Sequence, residues 1–325
     1  HEPSSEWRVA IMRMTRSVLR AANRVLSSSL VSRNLLRRSV VVFLYHEVSD
    51  QPSRFNEMFD LNITPSVFAR QLDLIQGYFH MVTPRQLIDG DAQTPAALMT
   101  FDDGNASYFR EALPILRAKG IPSVGFLNFG PIHGDVCWSA LTTYLHHCEP
   151  AFSASRRRPL IGNDYCRITE QEVWRYLDTV NADNLLARVR AFRGAVARQE
   201  DLDAVAEDPL VSLGNHLHNH YNATLLAKRL PAEFRKNQAF LDRHPRGRRV
   251  FSYPYSGRND ETDRMLRDEG VEAIFAGGQV PNWRHAPAVY SRVQLGADVV
   301  TEQRLMEAIL TTCLTTACRR MVQRW

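Results

Sequence analysis

An α/β fold organised on a parallel sheet or barrel is predicted by three observations. Apolar runs such as Ser39–Tyr45 are continuous rather than alternating, as in strands buried on both faces. These runs alternate with amphipathic helical patterns, the order that builds parallel sheets. Polar residues able to do chemistry follow the runs: His46 after Tyr45, and Asp102-Asp103 after Ala96-Ala97-Leu98-Met99. In barrels the carboxyl ends of the strands carry the chemistry.

In residues 1–38, Arg8, Arg13, Arg16, Arg20, Arg24, Arg33, Arg37 and Arg38 interleave with apolar residues at near-helical spacing. A basic amphipathic helix of this kind lies on an anionic membrane surface, or packs on the domain's own flank or a partner. Both readings stand, with peripheral membrane contact assigned to residues 8–38. Ser39–Tyr45 is the first strand. Thr64 and Pro65 have the chemistry of an N-cap and a first helical residue, and Val67, Phe68, Leu72, Ile75 and Phe79 form the stripe of the helix they open. After the strand that ends at the aspartates, Ser107–Lys119 reads as a helix stopped by Gly120, and Pro122–Asn128 as a strand.

The stretch from Asp103 to His216 is about twice what two helices and a strand need. The surplus, about residues 133–208, reads as a helical insert. Within it are a helix Thr169–Thr179, opened by the capping-box spacing Thr169-Glu170-Gln171-Glu172, and a helix Ala182–Gln199. The insert is a flap beside the barrel mouth that either selects substrate or pads the shell. The strand Pro209–Asn215, the helix Pro231–His244 and the strand Arg249–Tyr255 follow. Then come the helix Asp260–Glu269 and the strands Val271–Phe275 and Tyr290–Val293. The boundaries are thus 1–38 for the basic segment, 39–300 for the barrel with its insert, and 301–325 for a closing C-terminal helix, strongest over Thr301–Cys318.

At 325 residues, 44% of them hydrophobic, the chain has ample material for one large core. The net charge of +5 is mild, and no aromatic-interleaved basic motif accompanies it, so nucleic acid is not an expected partner. The lysines are Lys119, Lys228 and Lys236, so the positive charge is nearly all arginine. Cys137, Cys148, Cys166, Cys313 and Cys318 are odd in number and lack a close C-x-x-C pair, which argues against a disulfide framework or a cysteine metal site. A Cys313–Cys318 bridge stays open. The sequence has no apolar run long enough to span a bilayer. A cytoplasmic or membrane-associated location is expected, or a periplasmic or secreted one if a signal was removed.

Thr100-Phe101-Asp102-Asp103-Gly104 places two adjacent carboxylates at a strand end. Two ionised acids this close repel, so they need a cation or a shared proton. His216 and His220, in Gly214-Asn215-His216-Leu217-His218-Asn219-His220, supply further ligands. Two imidazoles and one carboxylate, with a water in the open position, make a catalytic zinc site, and the second carboxylate is then free to act as a base. The residues alone do not say which aspartate takes which role. His218 lies between the two ligands and is expected to point away. His46 reads either as a contact to the site or as a structural histidine.

Thr100–Gly104, His216-x-x-x-His220 and Phe251-Ser252-Tyr253-Pro254-Tyr255 resemble, in that order, the first three motifs of the polysaccharide deacetylases, carbohydrate esterase family 4 or the NodB homology domain. Leu44-Tyr45-His46-Glu47-Val48 resembles the first strand of the branch that includes the poly-N-acetylglucosamine deacetylases. The resemblance covers roughly residues 39–297 and implies a distorted (β/α) barrel of the NodB type. It implies Asp103, His216 and His220 as ligands of Zn2+, with Ni2+ or Co2+ as alternatives, and Asp102 as the base. It further implies Arg249 as the residue that orients that base, the backbone amide of Tyr255 as oxyanion donor, and a late histidine as general acid, for which His285 is the candidate. Arg292 matches the arginine that ends this branch's last strand. Leu217 and Tyr221 depart from the family's residues after each histidine, as does the neighbourhood of His285. The implied activity is removal of N-acetyl groups from an amino sugar in a polysaccharide, lipid-linked saccharide or glycoside. The alternatives are a deformylase or other linear-amide hydrolase, and a catalytically silent saccharide-binding homologue. Trp138 and Trp283 read as sugar-stacking or core residues.

Overall fold

The computed structural model describes residues 29–155, 166–278, 280–283, 287 and 289–310. The strands are β1 (Val40–Tyr45), β2 (Glu47–Val48), β3 (Asn62–Ile63), β4 (His80–Met81), β5 (Ala96–Phe101), β6 (Ser123–Leu127), β7 (Val211–Asn215), β8 (Gly247–Ser252), β9 (Ala273–Gly277) and β10 (Tyr290–Gln294). The main sheet runs β1-β10-β9-β8-β7-β6-β5-β4, and a further β1–β5 pairing closes all but β4 into a parallel, seven-stranded barrel ringed by helices. The barrel expected from the resemblance is the one observed.

Strand periodicity sorts the side chains. Val40, Val42, Ala96, Leu98, Val124, Phe126, Val250, Ala273, Phe275 and Tyr290 share one buried cluster. Their neighbours Val41, Phe43, Tyr45, Ala97, Met99 and Phe101 share another with the helix Pro65–Gln76. Alternate residues of a strand face opposite sides, so the first cluster fills the barrel and the second lies under the helices. Gly214 is required inside: a Cβ there would sit 2.6 Å from the ring of Phe126.

Several local readings are matched in detail. Thr64 caps the helix Pro65–Gln76, and Thr169 and Glu172 form a reciprocal capping box. Others are corrected. The stretch after Ser107 begins as a wide π turn, Tyr108–Ala112, before the α-helix Leu113–Ala118; Pro114 has no N–H to give to that ladder. The helix expected over Ala182–Gln199 ends at Arg193, where Gly194 takes φ 78°, and a separate short helix covers Gln199–Asp203. Residues 302–310 are helical. Most of the basic N-terminal segment, the Cys313–Cys318 pair and the end of the closing helix lie outside the described residues. Cys137 and Cys148 are free thiols. Among the described residues no helix is long and apolar enough to cross a membrane.

Helices Trp138–Cys148, Pro150–Ser155, Glu170–Leu177 and Ala182–Arg193 carry a core of their own, built on Trp138, Phe152, Val173, Leu185 and Phe192 and joined by Phe55. Trp138 is buried there, against the ring of Tyr221. Tyr221 and Tyr255, which flank the site described next, pack on this cluster.

Candidate metal centre

Asp102 continues the inward series Ala96, Leu98, Thr100 one step beyond the end of β5, so periodicity aims its carboxylate into the barrel mouth. Asp103 should then face outward. It does not, because its backbone turns into the left-handed region, φ 73°, with Gly104 following at φ 60°. Non-glycine residues rarely take that conformation, and strain of this kind persists only where the surroundings impose it. The turn swings the second carboxylate back to the same mouth. Leu217 and His220 have φ of 62° and 61°, so the histidine loop is similarly contorted. Asn128 holds it by donating to the carbonyl oxygens of His216 and Leu217. Asn215 accepts from the Leu217 amide at 2.9 Å.

Asp103 Oδ1 lies 3.3 Å from His216 Nε2 and 2.9 Å from His220 Nε2, all three residues being buried. One ligand atom from each lies within 4.8 Å of the others. His216 Nδ1 sits 2.8 Å from the carbonyl oxygen of Ser252, which can only accept. That contact commits the ring proton to Nδ1 and turns the Nε2 lone pair toward Asp103. Two acceptors then face each other across 3.3 Å in a buried site. Such an arrangement needs a proton or a cation between them, and an Asp/His/His set suits zinc or a similar divalent ion.

The electrostatics show the same demand for positive charge between these groups. Burial works against the charged forms, yet the carboxylates of Asp102 and Asp103 outweigh it and raise the pKa of His216. Asp103 is held well below the usual carboxylate range, against the cost of its burial, chiefly by His220 and His216. His220 is pushed down by burial. Its ring packs edge-on to Tyr255, centroids 5.0 Å apart, and its Nδ1 has no acceptor among the described residues. An acceptor thus stands behind the His216 ring and, among the described residues, none behind that of His220. His218 points away from the pair, with Nε2 3.6 Å from Asp135, and burial lowers its pKa to about 4.

Asp102 is not part of this triangle. Nη1 and Nη2 of Arg292 donate to its two oxygens, each at 2.7 Å, and Ser252 Oγ donates to Oδ2 at 3.2 Å. Burial raises the pKa of Asp102, but Arg292 and His216 outweigh it and the net shift is downward. Asp102 Oδ2 is 3.8 Å from His216 Nε2, so the ionised carboxylate stands beside the cation point. His46 follows β1 near Asp102, Asp103, Arg292 and His216, and burial lowers its pKa.

Arg249 does not orient Asp102, which corrects that expectation. It lies in the amino-terminal half of β8, away from the mouth, where it is exposed and bonds Asp242 at 2.6 Å and the Glu269 carbonyl at 3.0 Å. Arg292, on β10, is the arginine that contacts Asp102 instead. Tyr255 sits in a short 3-10 turn at φ 56°, beside His220. His285 lies outside the described residues. Trp283 is 48% exposed, which removes it from the core. Sequence reading missed Ser252, Asn105 and Arg193. Ser252 was visible inside its motif, and Asn105 follows Gly104 directly. Arg193 carries no local signal beyond a basic residue in a last helical turn.

No family model matches the chain, and no curated protein sequence matches it. Solved structures do. IcaB from Ammonifex degensii is 21% identical with a TM-score of 0.57, over 83% of this chain and 97% of that one. A de-N-acetylase from Aggregatibacter actinomycetemcomitans is 17% identical with a TM-score of 0.56, over 83% of this chain and 99% of that one. BC0361, a polysaccharide deacetylase from Bacillus cereus, is 12% identical with a TM-score of 0.55, over 83% of this chain and 69% of that one. The chain is thus built on the same barrel as these three solved proteins.

Proposed function

We propose that this protein is a divalent-cation-dependent hydrolase of the polysaccharide deacetylase kind, removing N-acetyl groups from an amino sugar. The observation that carries the reading is the pairing of two sites 3.8 Å apart: a lone-pair triangle that calls for a cation, and an arginine-held carboxylate beside it. Asp103, His216 and His220 would hold the cation. When bound, such an ion polarises an amide carbonyl and lowers the pKa of a water.

The residues of the chain supply the rest. Asp102, kept ionised by Arg292, takes the proton of the attacking water. Ser252 serves twice: its hydroxyl restrains Asp102 and its carbonyl fixes the His216 tautomer. The backbone amide of Tyr255 is assigned to the developing oxyanion, where a preplaced N–H donor is worth most. His285 is assigned as proton donor to the leaving amine. Zinc is the assigned ion, and the saccharide is a polymer, a lipid-linked saccharide or a small glycoside.

The test is product release from a panel of N-acetylated and N-formylated saccharides, with and without chelator. Chelator-sensitive acetate release supports the reading. Formate release alone moves the assignment to a deformylase, and no release from any member removes it.

A further inference from the structure

Arg193 ends the helix Ala182–Arg193 of the insert and is 3% exposed. A buried guanidinium is costly unless its hydrogen bonds are met. Its Nη2 donates to the backbone carbonyl of Asp103 at 3.0 Å, and its Nη1 to Asn105 Oδ1 at 2.6 Å. Asn105 in turn donates to the His46 carbonyl at 3.0 Å, tying the end of β1 to the same loop. The chain just after Arg193 adds backbone bonds. The Ala197 amide donates to the Gly104 carbonyl at 2.9 Å, and the Ala106 amide to the Ala195 carbonyl at 3.1 Å. Asn105 and Val196 form an isolated antiparallel bridge.

Every bond in this set falls on residues 103–106, at or just after the turn where Asp103 and Gly104 take positive φ. Left to itself, a non-glycine residue would leave that conformation at a gain of order 1–3 kcal/mol. The Asp103 carboxylate would then swing away from His216 and His220. We infer that Arg193 and the strap 194–197 are a clamp contributed by the insert, with Arg193 a positioning residue that holds the Asp103 backbone in its cation-ligating conformation. The insert is then neither a substrate filter nor padding at this point; it completes the centre. The inference rests on the proposed cation site, not on the identity of the substrate.

The experiment is calorimetric titration of Zn2+ into chelator-treated full-length protein, comparing wild type, Arg193→Ala, Arg193→Lys and Leu185→Ala. Leu185 is buried in the insert core and touches none of the clamp bonds, so it reports insert stability alone. Outer-shell partners of ligands typically contribute about 10–100-fold in metal affinity. Arg193→Ala is expected to lose affinity in that range, Arg193→Lys less because one of two acceptors is still reached, and folded Leu185→Ala to bind as wild type. Equal zinc affinity in wild type and Arg193→Ala overturns the clamp, as does equal weakening by Leu185→Ala. If wild type binds zinc, Arg193→Ala weakens it, and no saccharide is hydrolysed, the clamp stands and the deacetylase reading falls.

Discussion

Both carboxylate oxygens of Asp102 are gripped by Arg292, each at 2.7 Å, and the two residues are 3% and 1% exposed. Removing one member of a buried pair leaves an uncompensated charge, at a cost of about 3–5 kcal/mol. Arg292→Gln should therefore lower the unfolding free energy, read from denaturant titration, by that amount and abolish turnover. An unfolding free energy within about 1 kcal/mol of wild type, with activity kept, contradicts the geometry.

Asp102→Asn keeps the shape of the side chain but removes the base. Turnover should fall about 100- to 10,000-fold, the usual worth of a positioned general base. Zinc affinity should change little, because Asp102 lies outside the ligand triangle. Loss of zinc together with activity would make Asp102 a ligand instead. Radiometric acetate release beside a metal assay reads both quantities.

Arg249→Ala is expected to leave kcat/KM unchanged. The ion pair with Asp242 is exposed on both sides, and such pairs contribute about 0–1 kcal/mol. A large loss of activity in a folded variant would restore Arg249 to the site.

His220→Ala removes one ligand and the ring that packs on Tyr255, yet leaves the Asp102–Arg292 pair intact. The variant should stay folded by circular dichroism and lose zinc binding. Retained affinity would mean that the cation point is formed without it.

The barrel was legible in the sequence because strands buried on both faces have few polar residues to confuse the pattern. Val40–Tyr45 and Ala96–Phe101 are apolar at nearly every position, and each ends where a polar residue turns to the mouth. The convergence of Asp103, His216 and His220 was legible through their motifs. The contortion that achieves it was not. Positive φ at Asp103 and Leu217 is held by Arg193, Asn128 and Asn215, none of which bears a local signature. Arg249 was misplaced for a related reason. Its spacing from Pro254 is a sequence property, whereas its height on the strand depends on where β8 begins. That start, at Gly247, leaves Arg249 below the mouth, whereas Arg292 reaches Asp102 from β10, which β1 alone separates from β5.

Zinc titration of wild type against Asp103→Ala tests the central claim most directly. The account predicts one tightly held zinc per wild-type chain and none in the variant. Zinc bound equally by both, or by neither, would contradict it.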